Sequence, residues 1–415
     1  MLKVLHTADW HLGHSLHGVS RYLEHQRFLS WLLNQLLIKQ IDALIIAGDI
    51  FDSANPSAVA QTQLYDFLVQ AKQQQPTLTI ILIGGNHDSA SRLQAPASLL
   101  NTLGVHVIGG LTRLPNGEIA WDKLLIPLTD TAGEIKAWCG AMPFLRNADL
   151  PTYIDAETDT LVAGVTQLYD DLFTKLRNKA CHGESLLLTG HCYMVGGQIS
   201  ELSERKILGG NQHALPIDLF PKDVDYVALG HLHNPQAVAG KQHIRYSGSP
   251  IPLSFDETDY AHQVVQIELL KGQEPKISAL PIPRTVDLIR IPNGKDHAPL
   301  LDVLAQLQTL PLNYRLETDY HPFVELRILL DKPEPSMHQQ IDAVAKNLPV
   351  RILKRTTLLA GSDKSLADSA SDTRLEELQP LAVFEQCYQN KHAQNAPVAL
   401  TNLFIELLEQ LQTTD

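Results

Sequence analysis

Cysteine is scarce in this chain: four among 415 residues, Cys139, Cys181, Cys192 and Cys387, far apart and with no Cys-x-x-Cys pair. That spacing excludes a disulfide framework and fits a reducing cytoplasm. Cys192, although next to His191, reads as a bystander. Long apolar runs are also missing, so no membrane span is expected. The N-terminus leads straight into a strand, without the charged region, apolar helix and cleavage site of a secretory signal, and a cytoplasmic location is the expectation. No Gly-x-x-x-x-Gly-Lys-[Ser/Thr] phosphate loop occurs, which excludes ATP handling of that kind. Nor is there a basic excess. With 33 Lys and Arg against 46 Asp and Glu the formal charge is −13, unusual for a chain that grips phosphate backbones by itself. Bound divalent cations would offset part of that charge, and a local basic groove escapes such a sum. The balance implies weak duplex binding by this chain alone and reliance on a partner.

What is present is a soluble composition, 44% hydrophobic and 19% charged, of a length suited to two or three domains. Five short motifs rich in Asp, Asn and His each end an apolar run: Asp9-Trp10-His11, Gly48-Asp49-Ile50-Phe51-Asp52, Gly85-Asn86-His87-Asp88, Gly190-His191 and Gly230-His231-Leu232-His233. The runs Lys3 to His6, Ala43 to Ala47, Thr79 to Ile83, Ser185 to Thr189 and Tyr226 to Leu229 read as buried strands. The motifs therefore sit at strand C-termini, where an α/β sheet builds its sites.

The donors suit a pair of metal ions. Asp9 and His11, like His231 and His233, are spaced to face one pocket. Gly48 lets the backbone turn sharply and leaves Asp49 central, with two oxygens able to bridge two cations. Asn86 and His191 complete a set of oxygen and imidazole donors without thiolate, which favours Mn²⁺, Fe²⁺ or Zn²⁺ over Mg²⁺ or Ca²⁺. Two such ions roughly 3.5 to 4 Å apart activate a water and support in-line displacement at phosphorus. Each motif alone is weak, since Gly-Asp is a common turn and a lone His is more often structural. Five in this order, with complementary donors, leave little room for coincidence. His14, His17, His25, His106, His182, His213 and His243 are left as structural.

Arg21 to Lys39 reads as an amphipathic helix carrying Leu29, Leu32, Leu33, Leu36 and Leu37 on one face, the first crossover of a βαβ unit. Further helices are expected over Ser57 to Gln73, Arg92 to Leu103 and Asp159 to Lys179. Between Val105 and Phe144 the pattern is that of a hairpin in a second sheet, turning at Thr131-Ala132-Gly133. Residues 1–280 thus form one α/β layered domain. After Pro281-Ile282-Pro283, strand-like 286–291, helical 299–307, strand-like 323–330, helical 335–347 and strand-like 350–357 predict a small α+β domain of split βαβ type, residues 281–360. Residues 361–374 have the composition of a flexible linker, and 375–415 of two helices, Leu375 to Tyr388 and Val398 to Leu411. The stripe Leu400, Leu403, Phe404, Leu407, Leu408 and Leu411 needs a cover, either the chain's own body or a partner.

The order of the five motifs resembles the calcineurin-like metallophosphoesterase superfamily. Thr7 to Gly13, Ser203-Glu204-Arg205, Tyr226 to His233, and Arg245 to Pro250 with Ser254-Phe255 resemble its double-strand-break repair nucleases more closely. The resemblance implies a two-sheet metallophosphoesterase sandwich flanked by helices, with a small α+β capping domain and C-terminal helices. It implies one metal on Asp9, His11, Asp49 and His233 and a second on Asp49, Asn86, His191 and His231, with Mn²⁺ the expected ion. His87 becomes the catalytic residue outside the metal shells, stabilising developing charge or protonating the leaving oxygen, and Asp88 either orients it or serves as a turn residue. Archaeal and eukaryotic relatives carry a second histidine where this chain has Asp52, so that histidine's role does not transfer.

The same resemblance implies a DNA nuclease that trims double-stranded ends and cuts hairpins or single strands. An SMC-like ATPase partner would supply ATP hydrolysis and dock on the C-terminal helices, where Leu378, Pro380, Val383 and Phe384 open the first. Ser57 to Gln73 and Arg92 to Leu103 are candidates for a homodimer face or are ordinary core. Arg92, Arg146, Arg205 and Lys206 are plausible DNA contacts, none singled out. Two competitors stand beside this. A small-molecule phosphatase would use the same metals, but Gly48-Asp49 leads into Phe51-Asp52-Ser53 rather than the Asp-Arg-Gly of the protein phosphatases. A non-catalytic scaffold is opposed by the intact donor set and His87.

Overall fold

The computed structural model describes all residues except 152–159, 198–213, 295, 311–316, 361–379, 393, 398–399, 402, 405–406 and 408–415. Two six-stranded sheets lie face to face. The first runs β14 (Lys276–Pro281), β13 (Gln263–Leu269), β1 (Leu2–Thr7), β4 (Ala43–Ala47), β5 (Thr79–Ile83), β6 (Val105–Ile108). Strands β1, β4, β5 and β6 are parallel, and β13 and β14 form an antiparallel edge. The second runs β11 (Gln236–Val238), β12 (Lys241–Tyr246), β10 (Tyr226–Gly230), β9 (Ser185–His191), β8 (Ile135–Gly140), β7 (Leu125–Thr129), parallel through its centre and antiparallel at both edges. The hairpin expected between 105 and 144 is β7 and β8, whereas Val105–Ile108 closes the first sheet.

Period-2 alternation divides the first sheet's side chains between two cores. Val4, Ala43, Ile45, Ile81 and Ile83 face the second sheet, in a core with Leu187, Val227 and Leu229. Leu5, Leu44, Ile46, Ile80 and Leu82 face outward onto α1 (Tyr22–Lys39) and α2 (Ala58–Gln74), meeting Phe28, Leu32, Leu36, Leu64 and Phe67. Both faces are buried, so the strands read as unbroken apolar runs. On the far side, α5 (Thr160–Lys179) packs Leu168, Leu172 and Leu176 against the second sheet. Leu37 departs from the expected apolar face: it is half exposed, one helical step of about 100° beyond Leu36. Ser57 caps α2 by accepting Ala60 N–H. The helix expected over Arg92 to Leu103 is two short ones, α3 (Ala90–Gln94) and α4 (Ala97–Asn101), because Pro96 between them offers no N–H to continue the ladder.

The ribbon of β2 (Ser15–Leu16) and β3 (Val19–Ser20) reaches toward a separate sheet of β15 (Leu288–Ile291), β16 (Ala298–Pro299), β17 (Phe323–Leu330) and β18 (Arg351–Leu359), where Leu16, Phe255, Val286, Leu288 and Phe323 share a small core. In this sheet β15, β16 and β18 all pair directly with β17 in parallel. The split βαβ expectation is therefore corrected: among the described residues no strand intervenes between β17 and β18. Their connection through α7 (Met337–Ala345) is a plain crossover, and α6 (Leu300–Gln308) packs on the same core. In the C-terminal region α8 (Pro380–His392) stacks Phe384 on Phe404, ring centroids 4.4 Å apart, while Leu403 and Leu407 stay about half exposed. The linker 361–374, Leu378, Leu408, Leu411, Arg205, Lys206, His213 and the segment Ser203-Glu204-Arg205 lie outside the described residues. Among those described, no helix is long and apolar enough to cross a membrane.

Candidate metal centre

Strands β1, β4 and β5 of one sheet and β9 and β10 of the other deliver the five motifs to a single crevice. The backbone there is unusual: Asp9, His11 and Asp49 have φ of 54°, 47° and 47°, and His231 has 104°. Non-glycine residues rarely adopt this left-handed region, and such conformations persist only where surroundings impose them. Here the motifs impose it on each other. Asp9 N–H donates to Gly48 O and His11 N–H to Asp49 O, both at 3.0 Å. His231 N–H donates to Asp9 Oδ1 at 2.9 Å, and His87 N–H to Asp49 Oδ1 at 2.8 Å. Close approach explains the glycines: a Cβ on Gly85 would sit 2.2 Å from the Asp49 nitrogen, and one on Gly230 would sit 1.9 Å from Ala47 O.

Beside a third such grouping, of His11 with Asp52 and His87, the expected donors fall into two groups compatible with metal ligation, Asp9 with His11 and His233, and Asp49 with His191 and His231. Asp49 Oδ2 lies between them, 3.6 Å from His11 Nε2 and 3.3 Å from His191 Nε2. Asn86 Oδ1 joins the second group at 2.9 Å from His191 Nε2 and 3.1 Å from His231 Nδ1. All seven expected donors are thus brought together. Asp9 Oδ2 and His11 Nε2 are buried and make no hydrogen bond among the described residues. Orphaned buried acceptors are costly unless something binds them, and a divalent cation fits that requirement.

The electrostatics agree. Burial pushes the Asp9 carboxyl up. Burial would push Asp49 up too, but the rings of His191, His87 and His11 hold it well below the usual carboxylate range. Burial opposes charge on His191, yet Asp49 and Asp9 raise it to about 9. Burial and then His191 push His231 down. The carboxylates thus call for positive charge at this place, which a divalent cation supplies while leaving the imidazoles neutral.

His87 borders the first group, its ring centroid 4.7 Å from that of His11 and its Nε2 4.0 Å from Asp49 Oδ2. The two readings of Asp88 are resolved by its bonds. Its carboxylate accepts N–H groups from Ile50, Phe51 and Gly85 at 2.9 to 3.0 Å, so it ties the second motif to the third. Burial and the charge of Asp49 raise its pKa to about 6.

Sequence reasoning assigned no supporting role to Asp52 or Glu257. Asp52 Oδ1 is 3.3 Å from His11 Nδ1 and 3.1 Å from His14 Nδ1. Burial alone would raise this carboxyl, but bonds to those two rings hold it low. His14, read as structural, meets Asp52 and the Leu253 carbonyl and none of the seven donors. Glu257, fully buried, is 2.8 Å from His233 Nδ1; nothing in its local sequence signals that burial. His17, His25, His106, His182 and His243 are in none of these groups. Of the basic candidates, Arg146 donates to Asp88 O at 2.9 Å and lies over the Phe144 ring, and Arg92 donates to Asn55 at 2.8 Å.

A two-sheet sandwich with an Asp and His centre at the strand ends is the construction of a metal-dependent phosphoesterase, and residues 2–235 match the calcineurin-like phosphoesterase family. Residues 284–392 match the family described as type 5 capsule protein repressor C-terminal domain. The chain is 41% identical over 392 residues to the SbcD subunit of nuclease SbcCD from Rhodobacter capsulatus, covering 93% of this chain and 94% of that one. To the SbcD subunit of nuclease SbcCD from Escherichia coli K12 it is 31% identical over 395 residues, covering 93% and 92%. A dimetal phosphatase of Danio rerio aligns with TM-score 0.41 at 11% identity, covering 68% of this chain and 97% of that one. The chain belongs to the SbcD family of nuclease SbcCD subunits, metal-dependent phosphodiester hydrolases.

Proposed function

We propose that this chain is the nuclease subunit of an SbcCD complex and hydrolyses DNA phosphodiesters, trimming double-stranded ends and opening hairpins or cutting single strands, in DNA repair and recombination. The observation that carries this reading is the pair of donor groups meeting at Asp49 with His87 at their edge. One metal would be held by Asp9, His11, Asp49 and His233, the other by Asp49, Asn86, His191 and His231. Mn²⁺ suits this mixture of carboxylate, amide and imidazole. Two such ions supply an activated water and neutralise the phosphate oxygens.

The rest falls to the chain's own residues. Asp49 fixes both donor groups relative to each other. His87, with Nδ1–H donated to the Asp52 carbonyl, presents Nε2 to the scissile phosphate. A proton on Nε2 stabilises charge developing on the phosphate and passes to the leaving sugar oxygen as the P–O bond breaks.

ATP would be handled by the SMC-like partner SbcC, which the exposed Leu403 and Leu407 of the C-terminal helices suit as a docking surface. A homodimer within a heterotetramer, through the exposed Val59 of α2, Leu99 of α4 and Leu103 of the turn that follows it, and a cytoplasmic location complete the reading.

The test is Mn²⁺-dependent cleavage of a labelled DNA hairpin and of bis-p-nitrophenyl phosphate by the wild type and His87→Gln. Both reactions are expected in the wild type. The variant should lose about 10²- to 10⁴-fold in turnover while still binding Mn²⁺. Turnover of the small ester with none of DNA, even with the ATPase added, would instead identify a small-molecule phosphodiesterase.

A further inference from the structure

Glu257 lies outside the seven donors, on the one-turn 3-10 segment Phe255–Glu257. Its Oε1 is 2.8 Å from His233 Nδ1, and its Oε2 accepts Leu253 N–H at 2.7 Å. Both carboxylate oxygens are thereby committed, and the side chain is fixed. With Nδ1–H donated to Glu257, His233 keeps Nε2 as the lone-pair nitrogen for its group with Asp9 and His11. The preceding stretch is anchored as well, because Arg21 Nη1 donates to Pro252 O at 2.7 Å and His14 Nε2 is 3.0 Å from Leu253 O.

The neighbouring residue, Asp256, reaches into the small domain. Its Oδ1 is 3.5 Å from Arg290 Nη2 and 3.7 Å from Arg327 Nη2, and Arg290 also donates to the Phe255 carbonyl. Arg290, Arg327 and Lys354 converge on buried Glu325 at 3.6, 3.3 and 3.0 Å. Arg290 of β15 and Arg327 of β17 thus meet on one turn of the larger domain, while Lys354 of β18 holds Glu325 between them. A buried cluster of this kind resists distortion, since moving one member leaves another charge uncompensated.

We propose that Glu257 is a positioning residue for His233, and that the small domain fixes Glu257 through Arg290 and Arg327 acting on Asp256 and Phe255. The seating of the small domain then governs the metal held by Asp9, His11, Asp49 and His233, and leaves the one held by Asn86, His191 and His231 unaffected. This rests on the two-metal reading above. It gives a partner bound to the small domain a route to the chemistry that does not require contact with the crevice.

The experiment is Mn²⁺ titration of the full chain by calorimetry, with low-temperature electron paramagnetic resonance of the loaded protein. The wild type is expected to take two ions with a spin-coupled spectrum; fewer than two would defeat the two-metal reading itself, and this proposal with it. In Glu257→Gln an amide can serve His233 or Leu253 N–H but not both. One site should weaken by about 10- to 100-fold, and the coupled spectrum should give way to that of an isolated ion. Glu257→Asp, which keeps the charge but shortens the reach, should show the same one-site loss if the amide variant melts early. Asp256→Asn should weaken the same site severalfold without changing the other. Two unaltered affinities in folded Glu257→Gln, or equal losses at both sites, would overturn the positioning role. Unaltered affinity in Asp256→Asn would overturn the link to the small domain.

Discussion

His87 and Asp52 are joined through the main chain: Nδ1 of His87 lies 2.8 Å from the carbonyl oxygen of Asp52. The ring is therefore oriented by a backbone group that no substitution at Asp52 removes, while the Asp52 carboxylate serves His11 and His14 instead. Asp52→Ala is expected to lower Mn²⁺ affinity by roughly tenfold, as loss of a ligand's outer partner does, yet to leave turnover at saturating Mn²⁺ within a few-fold of wild type. A large loss of turnover at saturation would show that the carboxylate itself takes part in the chemistry.

Asp88 accepts three main-chain N–H groups, and an amide in its place would turn a donor toward donors. Asp88→Asn should cost about 1–3 kcal/mol of stability, read from the midpoint of a urea melt, with activity falling only in step with the folded fraction. Undiminished stability with lost turnover would mark Asp88 as catalytic after all.

Gly85→Ala tests the packing of the third motif on Asp49. The added Cβ, 2.2 Å from both the Asp49 nitrogen and Oδ1, forces Asp49 out of place. Loss of at least one Mn²⁺ is expected in calorimetric titration of a chain whose far-ultraviolet circular dichroism is unchanged. Two ions bound at wild-type affinity would mean the crevice yields elsewhere.

Burial holds His6 and His25 down to about 3 and His262 to about 4, from an ordinary value of 6.5. On acidification the unfolded chain takes up these protons first, so stability falls as pH drops from about 6.5 toward 3 to 4, and the contribution levels off below. Each ring adds up to about 1.4 kcal/mol per pH unit to that slope. Urea midpoints of the chelator-treated protein between pH 7.5 and 4.5 should show the decline. His25→Met should make it shallower by one ring's share, and an unchanged slope would remove His25 from the account.

Much of the centre is legible in the sequence because strand ends and donor types are local properties. A buried strand is an unbroken apolar run, and polar donors follow its end, so Asp9, His11, Asp49, Asn86, His191, His231 and His233 can be placed at one end of the sheets without coordinates. The single helix expected over 92–103 fails because apolar spacing continues across Pro96 although the hydrogen-bond ladder does not. The split βαβ expectation fails because element order alone does not state which strands pair.

The sequence by itself determined which residues lie at the ends of buried strands and which kinds of donor they bring. Tertiary structure decided what surrounds those donors. Glu257 meets His233 across the packed crevice, the main-chain carbonyl of Asp52 meets the His87 ring, and the Asp88 carboxylate accepts main-chain N–H groups of the second motif. A carboxylate that caps backbone N–H groups and one that orients an imidazole look alike in sequence. They differ only in which partner comes within about 3 Å once the sheets have packed.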